Sequence, residues 1–282
     1  MSAKFGPGGN SDAFKKAGYS ATQYAPAWLN SIGLDAYEYE AGNGLVAGPA
    51  TLGLIGREAA KNNIKMSYHA PYFISLSGVV EEKRLKSIEY IRQSIEAARL
   101  LGAGTIVVHC GSCAKISREE AMKLSADTLA RTVAEVETYG IKIGIETMGK
   151  VNQLGTLDEV LSLCTISPAL VPVIDFGHLN ARDLGGVFKT TDDYLRVFDR
   201  IDTNLGSLVL DSLHCHFSKI EWTGSGEKRH LTFADDIYGP DFEPFVEAIA
   251  KAGISPTVIC ESAGTQSDDA LAMKNKYLEY LR

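Results

Sequence analysis

The feature that most constrains this chain is an alternation, repeated eight times, of a short apolar run with a longer amphipathic stretch. The runs fall at residues 3–6, 36–40, 65–70, 105–110, 142–147, 171–175, 213–218 and 257–262. Between them lie helical patterns. Over 82–101, Leu85, Ile88, Ile91 and Ile95 recur at three- and four-residue spacing and form one apolar stripe. Ser117 with Glu120, and Thr156 with Glu159, have the spacing of capping boxes, and Gly102, Gly140 and Gly253 sit where helices should stop. Strand–helix alternation implies parallel strands joined by crossover helices, and eight such units close into a (β/α)₈ TIM barrel. An open dinucleotide-binding sheet is disfavoured, because the glycines of Gly6-Pro7-Gly8-Gly9-Asn10 do not have the required G-x-G-x-x-G spacing.

No linker, low-complexity stretch or repeat divides the 282 residues, so a single barrel domain is expected. Apolar residues make up 45% and charged residues 22%, the balance of a protein with a sizeable core. No apolar run is long enough to cross a bilayer, and Met1 to Asn10 lacks the apolar stretch of a signal peptide. A cytoplasmic monomer without membrane contact is the expectation. The net charge of −7 counts mildly against a nucleic-acid partner, although bound cations would offset catalytic carboxylates locally. The five cysteines are odd in number and scattered. Cys110 and Cys113 form a single C-x-x-C, which reads as two loop thiols rather than a redox pair or zinc half-site.

The chemistry lies at the ends of the apolar runs. His69, His109, Glu146, Asp175 and Glu261 each close one, and His214 and His216 lie on the seventh. In each run the residue two places earlier is small or branched (Ser67, Val107, Gly144, Val173, Ile259), so the ionisable residue occupies the same inward column one layer nearer the mouth. That mouth is where TIM-barrel active sites form. Imidazoles and carboxylates aimed at one small volume repel and desolvate one another unless cations join them, and this donor set suits Zn²⁺, with Mn²⁺ or Fe also able to bind. Singly, each residue has an ordinary interior or helix-capping explanation; together they point to metal. All six histidines, His178 and His230 included, fall in or beside the set.

At these residues the sequence resembles endonuclease IV, of the xylose-isomerase-like barrels. The matching segments are His69-Ala70-Pro71-Tyr72, His109 with Gly111-Ser112, Ile145-Glu146-Thr147, Ile174-Asp175-Phe176-Gly177-His178, the His214-Cys215-His216 strand with Ser218-Lys219, Arg229-His230 and Glu261-Ser262. The resemblance implies a hydrolase of base-excision repair that cleaves DNA 5′ of abasic sites with three zinc ions. His69, His109 and Glu146 would hold one ion. Glu146 would bridge to a second, held also by Asp175, Glu261 and a seventh-strand histidine, for which His216 is favoured over His214. His178 and His230 would hold the third. Glu261 and Glu146 would be catalytic, and Tyr72 and Phe73 would wedge into DNA. The family's third-site Asp, two residues before the second His, is Lys228 here; Glu227, one place further back, is the substitute. The loop Ala41-Gly42-Asn43-Gly44-Leu45 lacks the family's basic residue.

A sugar isomerase or epimerase of the same superfamily is the second reading, with Glu146, Asp175, His216 and Glu261 around one Mn²⁺ or similar ion. It leaves His69, His109, His178 and His230 less well used. A non-catalytic binding protein is the third; it leaves unexplained a cluster that opens at a barrel mouth.

Overall fold

The computed structural model describes residues 2–282. The strands are β1 (Lys4–Pro7), β2 (Ala36–Glu40), β3 (Lys65–His69), β4 (Thr105–His109), β5 (Lys142–Glu146), β6 (Leu170–Asp175), β7 (His214–Phe217), β8 (Ile220–Thr223), β9 (Gly226–His230) and β10 (Thr257–Cys260). All of them except β8 and β9 make one eight-stranded parallel sheet in the order β1-β10-β7-β6-β5-β4-β3-β2. The sheet curls into a nearly closed barrel. Its two ends meet through the bridge of Gly8 to Glu38 and the hydrogen bond from the N–H of Asp35 to the carbonyl of Phe5, 3.1 Å. Closure depends on Gly6, where a Cβ would fall 1.8 Å from the carbonyl oxygen of Ala36.

The apolar stripe forms a helix over Glu81–Leu101, one residue longer than its periodicity suggests. Ile88, Ile91 and Ile95 are buried against the barrel. Each such side chain contributes roughly 1.5–3 kcal/mol on burial, and truncating Ile91 to Ala would cost about 2–5 kcal/mol. Thr156 and Glu159 form a reciprocal capping box at the start of helix Leu157–Cys164. Ser117 accepts from the N–H of Glu120 at the start of helix Arg118–Glu135. Gly102 and Gly253 stop their helices in the left-handed conformation.

Two expectations are corrected. Gly140 does not end a helix: Arg118–Glu135 ends at Val136, whose buried side chain is carried on an extended backbone, and Gly140 lies in the turn before β5. The antiparallel hairpin β8–β9 has no counterpart in the strand–helix pattern. Its strands are polar and short, so no apolar run announces them. The cysteines are all free, and Cys110 donates to the carbonyl of Glu146. Among the described residues, no helix is long and apolar enough to cross a membrane.

Candidate metal centre

The barrel brings the strand-end residues together at one mouth. His109 pairs with Glu146, Asp175 with His216, and His216 with Ile259, two residues before Glu261. Val107, Val173 and Ile259, two places before His109, Asp175 and Glu261 on their own strands, are all fully buried, as the alternation requires. Glu146 is the hub. Its Oε2 lies 3.1 Å from Nε2 of His109 and 3.5 Å from Nε2 of His69, and its Oε1 lies 3.0 Å from Nδ1 of His216 and 3.6 Å from Nδ1 of His178. His216 Nδ1 is also 3.3 Å from Glu261 Oε1. Asp175 has two tasks. Its Oδ1 caps helix Phe176–Arg182 through the N–H of His178, 2.7 Å, while its Oδ2 lies 3.3 Å from His178 Nδ1.

These contacts sort into groups whose donor atoms could share an ion: His69, His109 and Glu146; Glu146, Asp175, His216 and Glu261; and His178, Glu227 and His230. Buried Glu146 Oε2 and Asp175 Oδ2 have no hydrogen-bond partner, which is expensive for carboxylate oxygens unless a cation is there to take them. The donor set therefore fits divalent metal. Three of the histidines are also oriented through their other ring nitrogen. His69 Nδ1 is 2.9 Å from the carbonyl of Ala70, His178 Nδ1 is 3.0 Å from that of Thr147, and His230 Nδ1 is 2.8 Å from Ser218 Oγ.

The third group depends on a β-bulge. Strict alternation from His230 would put Lys228 on its face and Glu227 on the opposite one. Instead Glu221 pairs with Arg229 and Trp222 with Glu227, leaving Lys228 as the extra residue. The bulge returns Glu227 to the side of His230, with its Oε2 3.4 Å from His178 Nε2. Lys228 and Arg229 both turn to Glu221. The hairpin is fixed to the segment after β5 by the hydrogen bond from Glu227 N to Gly149 O, 3.0 Å. This approach requires Gly226, where a Cβ would lie 2.2 Å from that same oxygen.

The electrostatics are those of a crowded carboxylate–imidazole cluster. Burial pushes Glu261 well above the usual carboxylate range, reinforced by the charges of Asp175, Glu146 and Glu40. Burial opposes the charge on His69 as well, but the facing Glu146 and the nearby Glu40 and Glu38 outweigh it and raise His69 to about 10. Burial alone would raise Glu146; the facing imidazoles of His109, His216 and His69 hold it well below its ordinary value.

Two carboxylates on β2 escaped the sequence reading. Glu40 closes β2 and lines the cavity, where burial raises it to about 7. The strand-end rule that picks out His69 would have found it. Glu38, fully buried, faces His214 and His216. His214 thereby joins Glu38 and His216 in a further group whose donor atoms could share an ion, two places before His216 on β7. The cavity over the cluster, about 800 Å³, reaches Tyr72, Lys150, Gln153 and Gln266. Tyr72 stacks on His109 with ring centroids 5.3 Å apart, and Phe73 meets Tyr90 edge-on at 4.8 Å; both aromatics stay half exposed.

A parallel barrel whose strand ends gather imidazoles and carboxylates at one mouth defines the class. The chain belongs to the xylose isomerase-like TIM barrel family, whose sequence model matches residues 15–279. It is 32% identical over 216 residues to an uncharacterized protein of Methanocaldococcus jannaschii, covering 75% of this chain and 77% of that one. It is 28% identical over 177 residues to a protein named Probable endonuclease 4 in Acholeplasma laidlawii, covering 61% of this chain and 59% of that protein. A solved structure titled a D-tagatose 3-epimerase-like protein superposes with a TM-score of 0.70 at 23% identity, covering 88% of this chain and 90% of the other, a likeness of fold alone.

Proposed function

We propose that this chain is a metal-dependent phosphodiester hydrolase of the apurinic/apyrimidinic endonuclease kind, cleaving DNA on the 5′ side of abasic sites. The observation that carries the reading is the third donor group, His178, Glu227 and His230, brought beside the other two by the β8–β9 hairpin. One metal needs only about four protein ligands. A site that gathers His69, His109, Glu146, Asp175, His178, His216, Glu227, His230 and Glu261 supports two or three ions, of which zinc suits the imidazole-rich set best. The similarity to a protein named endonuclease 4 supports the same reading.

Cations bound there would supply Lewis acidity toward phosphate oxygens and would acidify a water. The residues of the chain do the rest. Glu146, fixed by imidazoles on both oxygens, sets the spacing between the donor groups. Glu261 lines the cavity and is placed to orient the attacking water and accept its proton. Tyr72 and Phe73, exposed at the rim, offer flat apolar surface to replace the stacking lost at an abasic sugar. In this reading the chain works as one domain and as a monomer.

Glu40 favours a second reading, a sugar isomerase or epimerase. It points an acid into the cavity where a phosphate-rich substrate would prefer a base, and an epimerase-like protein shares the fold. The deciding experiment is incubation with a duplex carrying one abasic site, with and without chelator, alongside metal content per chain. Chelator-sensitive nicking 5′ of the site with two or three zinc ions supports the nuclease. An intact strand with every metal, and a single manganese per chain, supports the isomerase.

A further inference from the structure

We infer that Glu38 is a positioning residue that turns His216 so that its Nδ1 faces the metal-binding carboxylates, with His214 holding Glu38 in place. The inference rests on the proposed metal centre and concerns the layer beneath it. β2 and β7 are not neighbours in the sheet, yet side chains from both meet inside the barrel. Glu38 Oε2 lies 2.9 Å from His214 Nε2 in a hydrogen bond, and Glu38 Oε1 lies 2.9 Å from His216 Nε2. The second contact is an ion-pair distance only, since neither Glu38 Oε1 nor His216 Nε2 makes a hydrogen bond. The other nitrogen of the same ring, His216 Nδ1, points to Glu146 at 3.0 Å and Glu261 at 3.3 Å.

The two ring nitrogens of His216 are thus divided between two tasks. A neutral imidazole has one N–H; a carboxylate at Nε2 draws the proton there and leaves the lone pair of Nδ1 for a cation. Carboxylate–histidine–metal chains work in this way, and they fix the ring as well as the tautomer. Position matters equally. Other strands fill the barrel interior with Val107, Val173 and Ile259, so an apolar residue would pack at 38 without the desolvation that a buried carboxylate suffers. His214 gives Glu38 its second partner, so the two histidines of the His-x-His strand meet Glu38 from one side while His216 alone also reaches Glu146 and Glu261.

The test is Glu38→Gln in the full chain, with zinc as the probe. Competition with a chromophoric chelator should show one bound equivalent weakened about 10–100-fold and the rest unchanged. A crystal structure of the zinc-free variant should show the His216 imidazole rotated from its native pose. Glu38→Leu/His214→Leu separates positioning from packing: if the pair only fills space, it folds and binds zinc like the native chain, which overturns the inference. Unchanged zinc affinity together with an unmoved ring in Glu38→Gln overturns it too, as does complete loss of one equivalent, which would make Glu38 itself a ligand. If the native chain takes up no zinc, the proposed function fails, and the ring orientation alone decides the role of Glu38.

Discussion

Glu227 Oε2 lies 3.4 Å from His178 Nε2, although strand alternation alone would turn Glu227 away from the barrel mouth. The bulge at Lys228 is what joins them. Glu227→Ala should therefore lower metal content by about one equivalent per chain with the fold intact, read by elemental analysis and circular dichroism. Lys228→Ala should leave the metal content unchanged. Deleting Lys228 should also preserve it, since regular pairing would then keep Glu227 two places from His230. Loss of metal in the deletion variant, with the hairpin still formed, would show that the bulge does something else.

In the proposed hydrolysis Glu261 would orient the water; it lines the cavity and lies 3.3 Å from His216. Glu261→Gln keeps the shape and removes the base. Cleavage of an abasic duplex should fall about 10²–10⁴-fold while binding of that duplex persists. Single-turnover kinetics and a gel-shift titration read the two effects separately. Cleavage at the native rate would assign the base elsewhere.

Phe73 is half exposed and supported edge-on by Tyr90, so its removal leaves the metal groups untouched. A stacking contact with nucleic acid is worth about 1–3 kcal/mol. Phe73→Ala should weaken binding of an abasic duplex by roughly 5- to 100-fold, with zinc content unaltered. Equal affinity would leave Phe73 as loop packing.

Glu159 carries a pH dependence remote from the metal groups. Burial would raise its carboxyl, but hydrogen bonds from Arg118 and from the N–H groups of Thr156 and Gly155 outweigh burial and hold it below the ordinary value of 4.5. A depressed acid stabilises the fold above its unfolded pKa and loses that contribution as pH falls through its folded one. Glu159→Gln should cost about 1 kcal/mol at neutral pH, and the difference from the native chain should shrink below about pH 4. Urea melts at pH 7 and pH 3.5 measure this. A constant difference would mean that the side chain acts through packing. Arg118 also grips the carbonyls of Val151 and Gln153, so the same variant should loosen the segment beside Lys150 at the cavity rim.

The sequence by itself determined the barrel and most of its mouth. Eight apolar runs with helices between them leave few topologies, and an ionisable residue ending a strand faces the same volume as the inward residue two places before it. That rule found His69, His109, Glu146, Asp175, His216 and Glu261, because a two-residue period is visible in a linear string. It would have found Glu40 on β2, had that strand been read in the same way. Only the tertiary structure decided the rest. Glu38 meets His214 and His216 across the barrel interior, between strands distant in sequence and not adjacent in the sheet, and no local period encodes such a meeting. The position of Glu227 depends on one unpaired residue in a polar hairpin, and a single inserted residue reverses which side chains face inward without leaving an apolar signature.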